Sequence, residues 1–377
     1  LSTGTSTSHH YVRERVQEAR PRPAEQAGLF ERLRIALFGD WATAALTCVV
    51  VLIAAWWGGA FLKWSVLNAV FAGGADALGR CRAAEGVGAC WPVIAEKWRL
   101  ILFGLYPFDA QWRPAVACVL IVLVLGLSAI PKFWHRSLAA VWLAAGMAVG
   151  VLMWGGVAGL PFVASDGWGG LPVTLLLAAV GLASGFPIGV LLALARRSRK
   201  YPSLRAFAVA YIELVRAIPL LAVLFMASVM FPLFLPQDVT VSKLLRVQVA
   251  ISLFAAAYIA EVIRGGLQAI PGGQGEAADA IGLSYWKKMA FIILPQALRT
   301  SIPGLVNTFI SFFKATSIVV IVGIFDVMTA TKRAIADPAW QGFGLELYLF
   351  VGALYFIFCF SMSRYSRWLE KRLTTDR

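Results

Sequence analysis

The chain has 377 residues, of which 59% are hydrophobic and 14% charged, with a mean hydropathy of +0.74. A soluble domain is typically about half apolar, so this composition excludes a soluble enzyme or binding module and points to an integral membrane protein. The formal charge of +14 would suggest nucleic acid in a soluble protein, but basic residues also gather on the cytoplasmic loops of membrane proteins, and their placement here follows that second pattern.

Residues 1–40 form a basic arm carrying Arg13, Arg15, Arg20, Arg22, Arg32 and Arg34. Its start is polar and the first apolar run begins at Trp41, so that run is expected to be an uncleaved anchor. Just before it, Leu29, Phe30, Leu33, Leu37 and Phe38 alternate with Arg32 and Arg34, a pattern that fits either a short helix in the membrane interface or a solvated arm. Apolar runs at 41–62, 114–130, 138–160, 171–195, 206–235, 247–263, 302–324 and 345–365 are each long enough to cross a hydrocarbon core of roughly 30 Å. Their Gly-, Ala- and Leu-rich character predicts helices and not barrel strands, giving an all-α polytopic membrane protein with about eight transmembrane helices.

The long loop 63–113 holds Trp64, Trp91, Trp98 and Trp112, which serve either as headgroup anchors or as a contact surface for a periplasmic partner. Cys81 and Cys90 lie in the same loop and are either a disulfide, if it faces an oxidising compartment, or two free thiols. Cys48, Cys118 and Cys359 sit inside apolar runs, where cysteine acts as a small hydrophobe. His9, His10 and His135 are too scattered for a metal site. With a cytoplasmic N-terminus, basic residues concentrate on the inner segments: the arm, the run Arg196-Arg197-Ser198-Arg199-Lys200, the loop 271–295, and a tail with Arg367, Lys371 and Arg372. Both termini are therefore expected to be cytoplasmic.

The loop 271–295 is the most informative stretch. Pro271-Gly272-Gly273 must break the preceding helix, residues 274–280 can form a short helix, and Gly282 suits its stop. Ser284 can cap a second short helix bearing Tyr285, Trp286, Lys287 and Lys288, which Pro295 is expected to end. Small Ala277 and Ala278 allow a partner to approach closely, with Glu276, Lys287 and Lys288 as charges at the rim. No Gly-x-x-x-x-Gly-Lys-Ser/Thr loop occurs in the chain, so no bound cofactor is expected.

The spacing Glu276-Ala277-Ala278, three residues to Gly282 and nine more to Ile292-Ile293-Leu294-Pro295 resembles the ATPase-docking loop in membrane subunits of ABC importers. The run Ala256-Ala257-Tyr258-Ile259-Ala260-Glu261-Val262-Ile263-Arg264-Gly265-Gly266-Leu267-Gln268-Ala269-Ile270-Pro271 and the tetrad Lys314-Ala315-Thr316-Ser317 resemble polar amino-acid permeases of the histidine-permease-like family. Leu224-Phe225-Met226-Ala227-Ser228-Val229-Met230-Phe231-Pro232-Leu233-Phe234-Leu235-Pro236, with three additional N-terminal spans, is most similar to the larger permease subunit of general L-amino-acid importers. Two departures stand out: Arg216-Ala217-Ile218-Pro219 where relatives read Arg-Gly-x-Pro, and Ala315 where they carry an Asp beside the Lys.

The resemblance implies a type I importer fold, with a five-helix permease core at 169–370 containing the docking loop 271–295, a three-helix N-terminal extension at 41–168, and a cytoplasmic tail at 371–377. It implies a multi-pass subunit of the bacterial inner membrane that alternates access to an amino acid. Its partners would be a second homologous permease, an ATPase homodimer using ATP and Mg, a periplasmic amino-acid-binding protein and membrane lipid; nucleic acid is not among them. Two cations fall deep in apolar spans, Arg216 roughly 15 Å and Lys314 roughly 18 Å along their helices. Such depth requires a cavity or an anion, either a substrate carboxylate or Glu213 or Glu261. Arg216 with Glu213 has the i,i+3 spacing of a helix pair. Lys314 lacks an acidic neighbour within a turn, and the Thr316 and Ser317 hydroxyls can bond a carboxylate or a broken backbone. Pro219 and Pro232 fall in one span, where they either kink it or open carbonyls toward a cavity. Glu261 and Arg264 are expected to stiffen the link to the docking loop by ion pairing. The alternative reading is a secondary transporter or channel not driven by ATP.

Overall fold

The computed structural model describes residues 28–375 apart from 72, 75–76, 83–85, 87, 134, 136, 199 and 237. Arg13, Arg15, Arg20, Arg22, His9, His10 and Arg199 lie outside the described residues. The chain divides into two compact units, 1–69 and 70–377.

In the first unit, α1 (Leu29–Phe38) and α2 (Trp41–Leu62) meet at Gly39-Asp40. Asp40 caps α2, accepting from the Thr43 N–H at 2.8 Å, while the Thr43 hydroxyl accepts from the Asp40 N–H at 3.2 Å. This reciprocal box satisfies two otherwise orphaned donors. The Thr47 hydroxyl donates to Leu37 O at 2.7 Å, fixing the elbow. Exposed Phe30, Leu33, Leu37 and Phe38 suit α1 to an interface.

The second unit contains α3 (Ala77–Arg82), α4 (Pro92–Phe103), α5 (Trp112–Ala129), α6 (Ser137–Trp154), α7 (Gly170–Arg197), α8 (Pro202–Ala217), α9 (Leu220–Phe225), α10 (Lys243–Gln268), α11 (Gly272–Ala280), α12 (Tyr285–Lys288), α13 (Leu294–Ala315), α14 (Val327–Ile335) and α15 (Gly344–Thr375). Loop 63–113 is thus largely helical. Across the described residues, seven helices are long and apolar enough to cross a membrane, or eight if one bent pair counts as a span.

The core is built on α7 against α10. Gly181, Gly185 and Gly189 recur every four residues and form one stripe along α7. A Cβ at Gly185 would lie 2.9 Å from Ser252 O, and one at Gly181 or Gly189 would lie 2.7 Å from Ile251 or Ile259. Only glycine lets the two backbones approach so closely, a device suited to helices in lipid, where tight packing replaces the hydrophobic drive. The same logic joins α10 to α13: Gly304 faces Val262, and Ser301, on the same helix, faces Gly266 and donates to Ala297 O at 2.8 Å.

The run 206–235 is sharply broken: Pro202–Ala217 and Leu220–Phe234 are bent by 101°, which makes it either one broken span or a re-entrant loop. Ile218, preceding Pro219, takes extended angles (φ −92°, ψ 135°), as proline's ring forces on its predecessor. One expectation is corrected: Pro295 does not end a helix. It lies in the first turn of α13, and a π-turn at Met289–Ile293 carries the helix through from α12. A proline in a first turn forfeits no required donor, and the wider turn accommodates its ring. At its far end α13 tightens into a 3-10 stretch at Thr316–Val322 that stops at Gly323, φ +71°.

Candidate coupling site

The loop 271–295 folds as a two-helix knob. Pro271, with φ −57° and ψ 137°, starts α11. Gly282 then adopts φ +72°, a left-handed conformation that costs any residue with a Cβ about 1–2 kcal/mol. Leu283 N–H closes back on Ala278 O at 3.1 Å. Ser284 precedes α12 without a side-chain cap bond. Lys288 Nζ grips both carboxylate oxygens of Asp279, at 2.6 and 2.7 Å, tying the two short helices together. Lys288 is therefore committed within the knob and is not a rim charge.

Ala278 is buried, whereas Glu276, Ala277, Gly282 and Lys287 are exposed. The larger feature is apolar: Ile281 is 72%, Trp286 68% and Phe291 76% exposed, while Met289 and Ile293 alternate inward into the core with Ile259, Ile263 and Leu267. A rigid base thus presents an aromatic and aliphatic surface, the composition of an interaction hot spot. Of these, sequence reasoning singled out Trp286 and missed Ile281, at the end of α11, and Phe291, within the π-turn.

Beside the knob, charges from three core helices converge on Glu261 of α10. Arg264 binds it through two nitrogens at 2.6 and 2.9 Å. Arg196 from α7 lies 3.5 Å and Arg216 from α8 lies 3.6 Å from the same carboxylate. Glu213 pairs with Arg196 at 2.9 Å. The expected Arg216–Glu213 pair is therefore corrected: α8 ends at Ala217, and its rotation turns Arg216 toward α10 and the ring of Tyr258. Arg197 donates to Leu267 O at 3.3 Å, near the last turn of α10.

Lys314 is exposed at the end of α13, with no carboxylate at ion-pair distance among the described residues. The Thr316 hydroxyl donates to Phe313 O at 2.7 Å and Ser317 to Lys314 O at 2.8 Å. These hydroxyls are already donating to the backbone, so they can accept from a ligand but cannot donate to one until the 3-10 stretch opens.

Some 40 Å away along α7, at 1.5 Å per residue, its N-terminus meets α14. Asp326 caps α14, accepting from Thr329 N–H at 2.8 Å, and burial pushes its carboxyl above the ordinary range against these bonds. Cys81 and Cys90 are joined by a disulfide with Cα atoms 5.7 Å apart. No group of His, Cys, Asp and Glu suited to a metal ion occurs among the described residues.

Residues 185–375 match the family described as binding-protein-dependent transport system inner membrane component. The chain is 44% identical over 366 residues to the inner membrane amino-acid ABC transporter permease protein YhdY of Escherichia coli (strain K12), covering 95% of this chain and 97% of that protein. It is 37% identical over 431 residues to the glutamate/glutamine/aspartate/asparagine transport system permease protein BztC of Rhodobacter capsulatus, covering 97% and 98%. A solved amino acid ABC transporter chain aligns at 30% identity and a TM-score of 0.47, over 53% of this chain and 90% of that one. Likeness of this degree along nearly the whole sequence, on a bundle of membrane-length helices, means that the chain belongs to the binding-protein-dependent transport system inner membrane components, as an ABC transporter permease subunit whose ATPase is a separate polypeptide.

Proposed function

We propose that this permease subunit imports amino acids through the bacterial inner membrane, driven by an ATPase homodimer that grips the knob 271–295. The observation that carries the reading is the rigidly based surface of Ile281, Trp286 and Phe291, exposed in a chain with no phosphate loop of its own. Lys287 and the nearby Arg196, Arg197 and Lys200 support a cytoplasmic position for this end, and the basic residues of the arm and tail support the same for both termini. A periplasmic amino-acid-binding protein delivers substrate at the other end, and a second homologous permease completes the pore. The amino-acid substrate follows from YhdY and BztC, whose names specify amino-acid transport.

ATPase closure would pull the knob, and the π-turn joins it directly to α13, which ends at Lys314. Glu261 and Arg264 link α10 to the same base. Arg216 and Lys314 are the cations suited to a substrate carboxylate, with Thr316 and Ser317 as acceptors and Glu213 holding Arg196 in place. A channel or secondary transporter gives no role to an exposed apolar knob.

The test is Gly282→Trp beside Gly282→Ala in the complex with its co-encoded partners. No atom of this chain lies within 4 Å of a Cβ at Gly282, so both variants carry the same backbone strain and only Trp adds bulk toward a partner. ATPase co-purification and transport are expected to fail for Trp and to persist for Ala, with membrane insertion intact in both. Retained ATPase binding and transport in the Trp variant would overturn the reading.

A further inference from the structure

The N-terminal end of α7 meets the start of α14, the 3-10 stretch Thr316–Val322 and α15, and each contributes one oxygen-bearing side chain to the junction. α4 lies against α14, tied by Lys97 Nζ to Asp337 Oδ2 at 2.6 Å, and the two helices form a cap over this end of the core. Asp326 and Thr174 are fully buried and Thr316 is 2% exposed. The Tyr355 hydroxyl, on α15, faces the Thr316 and Thr174 hydroxyls and lies within electrostatic reach of Asp326. The Tyr355 ring packs on Phe313, with centroids 5.3 Å apart.

The hydrogen bonds of this junction leave a specific remainder. Asp326 Oδ1 accepts from the Thr329 N–H at 2.8 Å and from the Thr329 hydroxyl at 2.6 Å. The Thr174 hydroxyl donates to Gly170 O at 3.2 Å and accepts from Val327 N–H at 3.2 Å, and the Thr316 hydroxyl donates to Phe313 O at 2.7 Å. With their hydrogens committed to carbonyls, both threonine oxygens still present a lone pair. Asp326 Oδ2 and the Tyr355 hydroxyl are buried without a hydrogen-bond partner among the described residues. No Lys, Arg or His of the described residues lies at ion-pair distance from Asp326.

We propose that Asp326 Oδ2 and the hydroxyls of Tyr355, Thr174 and Thr316 form a binding site for one Na+ ion. Burying a charge is costly unless it is paired, and the cap bonds of Asp326 engage only one of its two oxygens. The four groups are all hard oxygen donors, which suits an alkali or alkaline-earth cation and not a soft metal. A single carboxylate balances one positive charge, whereas protein sites for Ca2+ draw on several carboxylates. The ion balances Asp326 and joins α7, the 3-10 stretch, α14 and α15. Thr316 is the first residue of the 3-10 stretch that continues α13, so an ion here holds the end of α13 opposite the knob. The site does not depend on what the subunit carries.

The experiment measures equilibrium binding of radiolabelled Na+ to the full complex in nanodiscs, with choline chloride holding the ionic strength constant. Saturable binding that unlabelled NaCl displaces and choline chloride does not is the expected result. Asp326→Asn keeps an N-cap, since Asn caps a helix about as well as Asp, but removes the charge, and should lose one bound ion per copy of this chain. Tyr355→Phe keeps the ring packing and should weaken binding about tenfold or more, the loss of one polar contact to a charge. Size-exclusion elution checks assembly of both variants, and if Asp326→Asn does not assemble, Tyr355→Phe decides alone. No saturable binding by the wild type, or wild-type binding by either assembled variant, overturns the proposal.

Discussion

At the scale of single residues, Glu261 organises the most charge. Its carboxylate meets Arg264, Arg196 and Arg216, so Glu261→Gln removes the charge that three guanidiniums share and leaves only Arg196 with a carboxylate partner, Glu213. Removing one partner from a partly buried ion network leaves the others desolvated without compensation, a cost on the order of 1–3 kcal/mol. The thermal unfolding midpoint of purified Glu261→Gln should fall by a few degrees; an unchanged midpoint would mean that the network is not structural. The pairing of Glu261 with Arg264 was readable because i,i+3 residues share a helix face. Arg216 misled the same rule: Glu213 has the right spacing, but that spacing cannot show which neighbouring helix the side chain meets.

At the scale of elements, the glycine stripe of α7 decides whether the core closes. A Cβ at Gly185 meets backbone, Ser252 O at 2.9 Å and Ala256 N at 3.3 Å, and backbone cannot rotate away as a side chain can. Gly185→Val should therefore cost about 1–3 kcal/mol from overpacking. It should appear as aggregation in size-exclusion chromatography after solubilisation. Gly265→Val, where no atom lies within 4 Å of the added Cβ, is the control and should remain monodisperse. Hydropathy identified these spans because their length and greasiness are local properties. It could not find the 101° bend at Pro219, since a proline predicts a break but only packing fixes its angle. Pro295 shows the converse: the same residue type that breaks one helix begins another when a π-turn precedes it.

At the scale of the whole molecule, the cap and the knob occupy opposite ends of α7 and α10. Asp337 in the cap is held below the usual carboxylate value, first by its bond from Lys97 and then by the Ala339 N–H. A depressed folded value means that the tie stabilises fully above the ordinary carboxylate value of 3.8 and is lost as pH falls through the lower folded value. Protection factors in α4 and α14, taken against the intrinsic amide exchange rate, should hold from neutral pH to about pH 4 and fall below it. Asp337→Asn should already exchange faster at neutral pH; identical protection in both proteins across this range would show that the Lys97–Asp337 tie does not hold the cap.

The sequence by itself determined that this is a helical membrane protein and which short loop leaves the bundle. It also showed, by resemblance, the family to which the chain belongs. Those features rest on composition, hydrophobic run length and fixed spacing, all of which are local along the chain. Only the tertiary structure decided that Arg216 faces Glu261, that Ile281 and Phe291 join Trp286 on the knob, and that the segment from α3 to α4 is tied to the chain following α14 through bonds linking residues 82–97 to 337–346. Each of these depends on helix rotation and contact between segments far apart in sequence, which packing sets and local pattern does not encode.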